Sequence, residues 1–178
     1  LWASDIRYFN DAAEMKHTEN LLRAEISKML EKGEGNSKLL SQFRDWISHR
    51  ITDGHMVFVS SLTGNGNLLS QWRGYTPLGK GISIGFNPTI ISLCANSKKF
   101  LIGKCIYNVT EQNAIVKKIL EEIENLAVSM GENTDPSKRH PTQSYHDVFE
   151  AVEEKLLVIA VILKHPAFEE EEEWRLVS

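Results

Sequence analysis

The chain has 178 residues, 42% of them hydrophobic and 25% charged, with a formal net charge of −4. That length and balance predict a single globular domain with a sizeable core. No long basic run is present, which argues against a broad nucleic-acid surface, and no apolar run approaches the ~18 residues of a membrane-spanning helix. Cys94 and Cys105 sit in apolar surroundings without metal-ligand spacing and read as reduced core residues of a cytoplasmic protein.

The chain opens on Leu1–Trp2–Ala3–Ser4, which reads as a strand remnant, and stops at Leu176–Val177–Ser178 as if in mid-strand, so a fragment at both ends is expected. Asp11 and Glu14 have the spacing of a capping box that starts a helix carrying Leu22, Ile26, Met29 and Leu30 and stopping near Gly33 and Gly35. Ser37 is placed to cap a second helix with Leu40, Phe43, Trp46 and Ile47 on one face, broken at Asp53–Gly54. Residues 55–62 read as an apolar strand. Gly64–Asn65–Gly66–Asn67 is a loop without the spacing of a phosphate-binding fingerprint.

A short helix is predicted over Leu68–Tyr75, then a strand over Gly81–Phe86. In that strand Ile82, Ile84 and Phe86 face one way and the small Ser83 and Gly85 the other, leaving room for a helix or a ligand. A further strand is predicted around Lys104–Val109, with Thr110 capping a helix that buries Ile115, Ile119, Ile123 and Leu126. Residues 131–141 are polar and punctuated by Pro136 and Pro141, as a loop would be. A long helix follows over 144–163, apolar all round in its second half and so expected at the centre of the core. Helices and strands without regular βαβ alternation predict an α+β fold.

The last ten residues combine five glutamates, Glu169 to Glu173, with Trp174, Leu176 and Val177, which favour a buried strand. Alternation puts Trp174 and Leu176 on one face and Glu171, Glu173 and Arg175 on the other, a candidate catalytic edge. The plainer reading is a charged strand start with Glu173 and Arg175 solvated. The six histidines share no metal spacing with one another or with the cysteines, and no glycine-flanked nucleophilic serine is present.

Leu1–Ser4 with Ile6–Glu14, Phe58–Ser61 leading to Leu69–Tyr75, Gly79–Phe86, and Phe168 with Glu171, Glu173, Trp174 and Arg175 together resemble the bacterial domain-of-unknown-function family 2971. The Gln71–Trp72–Arg73 and Glu173–Trp174–Arg175 signatures carry that resemblance. The arrangement is also similar, more weakly, to the ADP-ribosyltransferase superfamily, which implies a mixed sheet flanked by helices and NAD as substrate. On that resemblance Ser4, Ser60 and Ser61 belong to the nicotinamide pocket, and Glu173 or Glu171 is the late-strand glutamate. Family members usually begin one strand and helix earlier, with a Tyr–His–Tyr–Thr-like segment that this chain lacks, so the first-strand residue has no assignment.

The chemistry this implies is coherent. Cleavage of the nicotinamide–ribose bond develops oxocarbenium-like charge, which a carboxylate on the ribose hydroxyl stabilises while a second glutamate prepares the acceptor. Trp72 or Tyr75 would stack on the nicotinamide and Arg73 or Arg175 would meet the pyrophosphate. Against this, residues such as Trp72 and Trp174 are more often core, and Arg175 is as readily a structural partner of Asp11 or Glu14. Asn10, Asp11 and Glu14 are therefore carried as structural or site residues. The expected function is an NAD-using transferase or NAD hydrolase acting on an unidentified macromolecular acceptor, in a toxin or phage-defence setting. The alternatives are a ligand-sensing or interaction module, and a nuclease gathering Asp11, Glu14, Glu171 and Glu173 around Mg²⁺.

Overall fold

The computed structural model of the chain describes residues 3–6, 12–53, 56–76, 80–132 and 145–178. In chain order the elements are β1 (Ser4–Asp5), α1 (Ala12–Lys32), α2 (Ser37–Asp53), β2 (Phe58–Thr63), α3 (Leu69–Tyr75), α4 (Pro88–Ser97), β3 (Leu101–Lys104), α5 (Val109–Glu132), α6 (His146–Ile162), a 3₁₀ helix (Pro166–Glu171) and β4 (Glu173–Val177). The protein is a single α+β domain. Its four-stranded sheet has the order β1-β2-β4-β3, antiparallel throughout. The expected mixed sheet is thereby corrected: the parallel pairing seen is one isolated bridge between Ile106 and Leu163.

The helices form where apolar residues recur at helical spacing, but two of their caps lie earlier than expected, by one residue at α2 and by two at α5. Asn36 Oδ1 accepts hydrogen bonds from the N–H groups of Lys38 and Leu39, and Asn108 Oδ1 from those of Thr110 and Glu111. Asparagine satisfies these orphan donors from outside the helix, so Ser37 becomes the first residue of α2 and Thr110 the second of α5. Asn87 does the same for α4, a helix the sequence reading left out, with Pro88 at its first position. Asn10, Asp11 and the side chain of Glu14 lie outside the described residues, and the capping box expected there with them.

Most of the core lies between the helices and one face of the sheet. Leu22 and Ile26 of α1, Phe43 and Ile47 of α2, Leu120 and Ile123 of α5, and Leu156 and Val161 of α6 join Val59 and Val177 in one buried cluster. Phe43, Trp46 and Phe149 pack ring on ring within it. The second half of α6 is buried or half-buried all round, as its composition predicts. The opposite face of the sheet carries a smaller cluster, in which Leu176 meets Ile91 and Ala95 of α4, with Leu62, Phe100 and Ile102 beside them.

Three expectations are corrected. Gly81–Phe86 joins no strand among the described residues, and Ile82, Ile84 and Phe86 face solvent. Alternation predicts a strand only if a ladder partner is available, and β4 is already paired on both sides. Cys105 is buried as expected, whereas Cys94 is exposed on α4. Trp174 shares its face with Leu176 but is 39% exposed, because α4 covers the Leu176 end of that face.

Candidate functional site

β4 is an interior strand, not the catalytic edge its composition suggests: β2 pairs on one side and β3 on the other. Its register with β2 sets Glu173 opposite Thr63 and Arg175 opposite Ser61, and Ser4 of β1 lies opposite Val59. Directly opposed residues share a face, so Ser4, Ser61, Thr63, Glu173 and Arg175 all lie on the side of the sheet that packs against the helices. The strand begins at Glu173 because Glu172 takes a left-handed conformation (φ 44°) that ends the 3₁₀ helix. Glu171 therefore comes from that helix and not from the strand, a correction to the alternation expected of it.

A cavity of about 390 Å³ opens on this face, lined by Ser4, Ser60, Ser61, Leu62, Thr63, Gln71, Tyr75, Lys164, Glu171 and Glu173. That volume lies in the range of small-molecule pockets, about 300–1,000 Å³. A slightly larger cavity, about 430 Å³, between Met56, Leu101, Leu157 and Val177 contains none of the residues singled out from the sequence. Chemistry, not size, makes the first the candidate site, because it alone of the two is lined by the paired glutamates and the serines.

Three charged groups organise its floor. Arg175 is 1% exposed, the largest of the fully buried side chains among the described residues. Its Nε donates to Glu173 Oε1 at 2.8 Å, its Nη2 to Glu173 Oε2 at 3.0 Å, and its Nη1 to the carbonyl of Val161 at 2.5 Å. Lys164, just past the end of α6, is also buried, and its Nζ donates to Glu173 Oε2 at 2.6 Å and to Glu171 Oε2 at 2.5 Å. The Phe168 ring lies 5.2 Å from the same ammonium, within cation–π range. Burial pushes the Glu173 carboxyl up, but the hydrogen bonds and charge of Arg175, with hydrogen bonds from Lys164 and Ser61, outweigh it and hold the group below the usual carboxylate range. Glu173 is thus ionised at neutral pH, suited to stabilising positive charge and not to donating a proton. The backbone N–H of Glu173 donates to Tyr107 Oη at 3.1 Å, and burial pushes the Tyr107 phenol up to about 12.

The structure brings together Ser4, Ser60, Ser61, Tyr75, Glu171 and Glu173 around one cavity. It does not bring Trp72, Arg73 or Arg175 to the cavity wall. Trp72 is half-buried on α3, its indole N–H donating to Asn67 Oδ1 at 3.0 Å, and Arg73 is exposed beside it. Arg175 points inward, to Glu173 and the Val161 carbonyl, and the Asp11 and Glu14 side chains considered as its partners lie outside the described residues. The sequence reading missed Lys164 and Gln112. Gln112 is fully buried, and its Nε2 donates to the carbonyls of Ile106 and Lys164, tying the ends of β3 and α6 together. A signal existed for Lys164: it is a lone cation directly after the apolar run Leu156–Leu163, where only a paired charge is stable.

The fold and site define an α+β protein with a carboxylate-floored cavity against a small antiparallel sheet. Residues 71–176, from the start of α3's Gln–Trp–Arg signature through β4, match the family described as "Protein of unknown function (DUF2971)", and the chain belongs to that family. No curated protein and no solved structure matches the chain. No helix among the described residues is long and apolar enough to cross a membrane.

Proposed function

We propose that the cavity binds NAD and that the chain cleaves the bond between nicotinamide and ribose, passing the ADP-ribosyl group to a macromolecule or to water. The observation that carries this reading is the convergence on one cavity of Glu171 and Glu173 with Ser4 and Ser61, from β1, β2, the 3₁₀ helix and β4, while Ser60, opposite Leu176, turns its side chain to the other face. Heterolysis leaves the bonding electron pair on nicotinamide and positive charge on the ribosyl C1′, and an acceptor oxygen then adds to C1′ and releases its proton. An ionised Glu173, fixed by Arg175 and Lys164, supplies preorganised negative charge where that cation develops. Glu171, nearer the mouth, takes the acceptor proton. Tyr75 offers an exposed ring for stacking, and Arg73 on the same helix offers a cation for the diphosphate. A bacterial cytoplasmic effector in a toxin or phage-defence system is the setting that suits this chemistry.

A second reading has its own support: both Glu173 oxygens are already hydrogen-bonded by Arg175 and Lys164, as in a structural network. On that reading the cavity senses a ligand without turning it over. The nuclease reading is weakest, since the point between Glu171 and Glu173 is filled by the Lys164 ammonium. NAD titration by calorimetry, with nicotinamide release followed on the full-length protein and label transfer from NAD in a lysate, separates these. Binding with release or transfer supports the enzyme; binding alone supports the sensor; neither binding nor release removes the NAD reading.

A further inference from the structure

Lys164 is 3% exposed at its side chain, and its single ammonium lies at hydrogen-bond distance from two carboxylates on different elements. The 2.5 Å and 2.6 Å contacts limit how far apart those carboxylate oxygens can be. They lie within about 5 Å, the range in which one negative charge disfavours ionisation of the other. Without a cation between them, the 3₁₀ helix and β4 would be pushed apart at this point or one carboxyl would take a proton. The ammonium, on its flexible stem, meets both carboxylates at once, whereas the guanidinium of Arg175 meets Glu173 and the Val161 carbonyl.

We propose that Lys164 is the positioning residue of this cavity: it clamps Glu171 to Glu173 and keeps the Glu173 carboxylate charged and fixed at the cavity floor. Its catalytic meaning rests on the NAD reading above; the clamp itself does not. Among the described residues the groups facing the Glu173 carboxyl are Glu171 from the 3₁₀ helix, Lys164 from the end of α6, Arg175 from β4 and Ser61 from β2, with the Tyr107 hydroxyl against its backbone. Removing the ammonium takes away one of the two cations among them and leaves Glu171 facing Glu173 directly.

The test is a ¹³C-carboxyl titration of glutamate-labelled full-length protein, with the Glu173 signal assigned by its loss in Glu173→Gln, alongside the pH profile of nicotinamide release. In the wild type Glu173 titrates below the ordinary glutamate range. Lys164→Met keeps the stem and loses the charge, and its Glu173 midpoint rises by about one pH unit or more. The acid limb of turnover moves up with it, and kcat falls about tenfold or more while KM changes little. Lys164→Arg brings both back toward wild type. A Glu173 midpoint unmoved by Lys164→Met overturns the clamp. Should that variant not fold, the wild type decides, since a Glu173 midpoint at or above the ordinary range overturns it equally. A wild type that releases no nicotinamide defeats the NAD reading, while the titration still decides the clamp.

Discussion

Arg175→Met removes the buried guanidinium and keeps an apolar side chain of similar reach. Three donated hydrogen bonds disappear, two to Glu173 and one to the Val161 carbonyl at the end of α6. Breaking a buried ion pair by deleting one partner costs about 3–5 kcal/mol. The orphaned Val161 carbonyl lies inside that figure at about 1–3 kcal/mol, and Lys164, still beside Glu173, keeps the total from going higher. Against a typical stability of about 5–15 kcal/mol that is a large fraction. Urea unfolding followed by tryptophan fluorescence reads it, with Trp46 reporting from between Phe43 and Phe149. The penalty also has a pH signature. Glu173 has a folded pKa below its unfolded value, so its contribution is present above the unfolded value of about 4.3 and is lost as pH falls through the folded one. The gap between wild type and Arg175→Met is therefore full at neutral pH and narrows in acid. Adding Glu173→Gln to Arg175→Met costs less than the two single changes together. A loss below about 1 kcal/mol at pH 7, or strict additivity in the double variant, refutes the network.

Asn36→Ala and Asn108→Ala each lower stability by about 0.5–2 kcal/mol, whereas Ser37→Ala and Thr110→Ala change it by a few tenths at most, as chemical denaturation of the four variants will show. Gln112→Leu strands the Lys164 carbonyl in the core, while the Ile106 carbonyl keeps the Lys164 N–H, and costs about 1–3 kcal/mol, measured as a lowered urea midpoint at unchanged slope. Glu171→Gln lowers transfer to an acceptor more than NAD hydrolysis, read as the ratio of labelled acceptor to free ADP-ribose. An equal loss of both would remove the acceptor role from Glu171.

Local patterns made the helices legible. Leu22 and Ile26, and Phe43 and Ile47, are buried where their spacing puts them, and Leu156 through Leu163 are buried or half-buried. The same-face placement of Glu173 and Arg175 was also readable, since alternation is a local property. What alternation cannot report is pairing over long separations. It therefore made β4 an edge and Gly81–Phe86 a strand, when the ladder partners lie elsewhere. It also carried Glu171 into the strand, because a left-handed residue at Glu172 leaves no mark in a run of glutamates. The caps at Asn36 and Asn108 were displaced for a related reason: in Asn36–Ser37 and Asn108–Val109–Thr110 two good capping residues compete, and only backbone geometry decides between them. Lys164 carried a signal of its own, a lone cation after an apolar run, but its pairing with Glu171 and Glu173 depends on the 3₁₀ helix that turns the chain back between them.

The account turns on Glu173, and its most direct test compares wild type with Glu173→Gln for nicotinamide release and for NAD affinity on the same protein. The substitution keeps the shape and removes the charge, so a group that acts mainly in the transition state gives a loss in kcat of roughly two orders of magnitude or more, with NAD affinity nearly kept. Equal turnover by the two proteins, with the wild type active and both folded, contradicts the account.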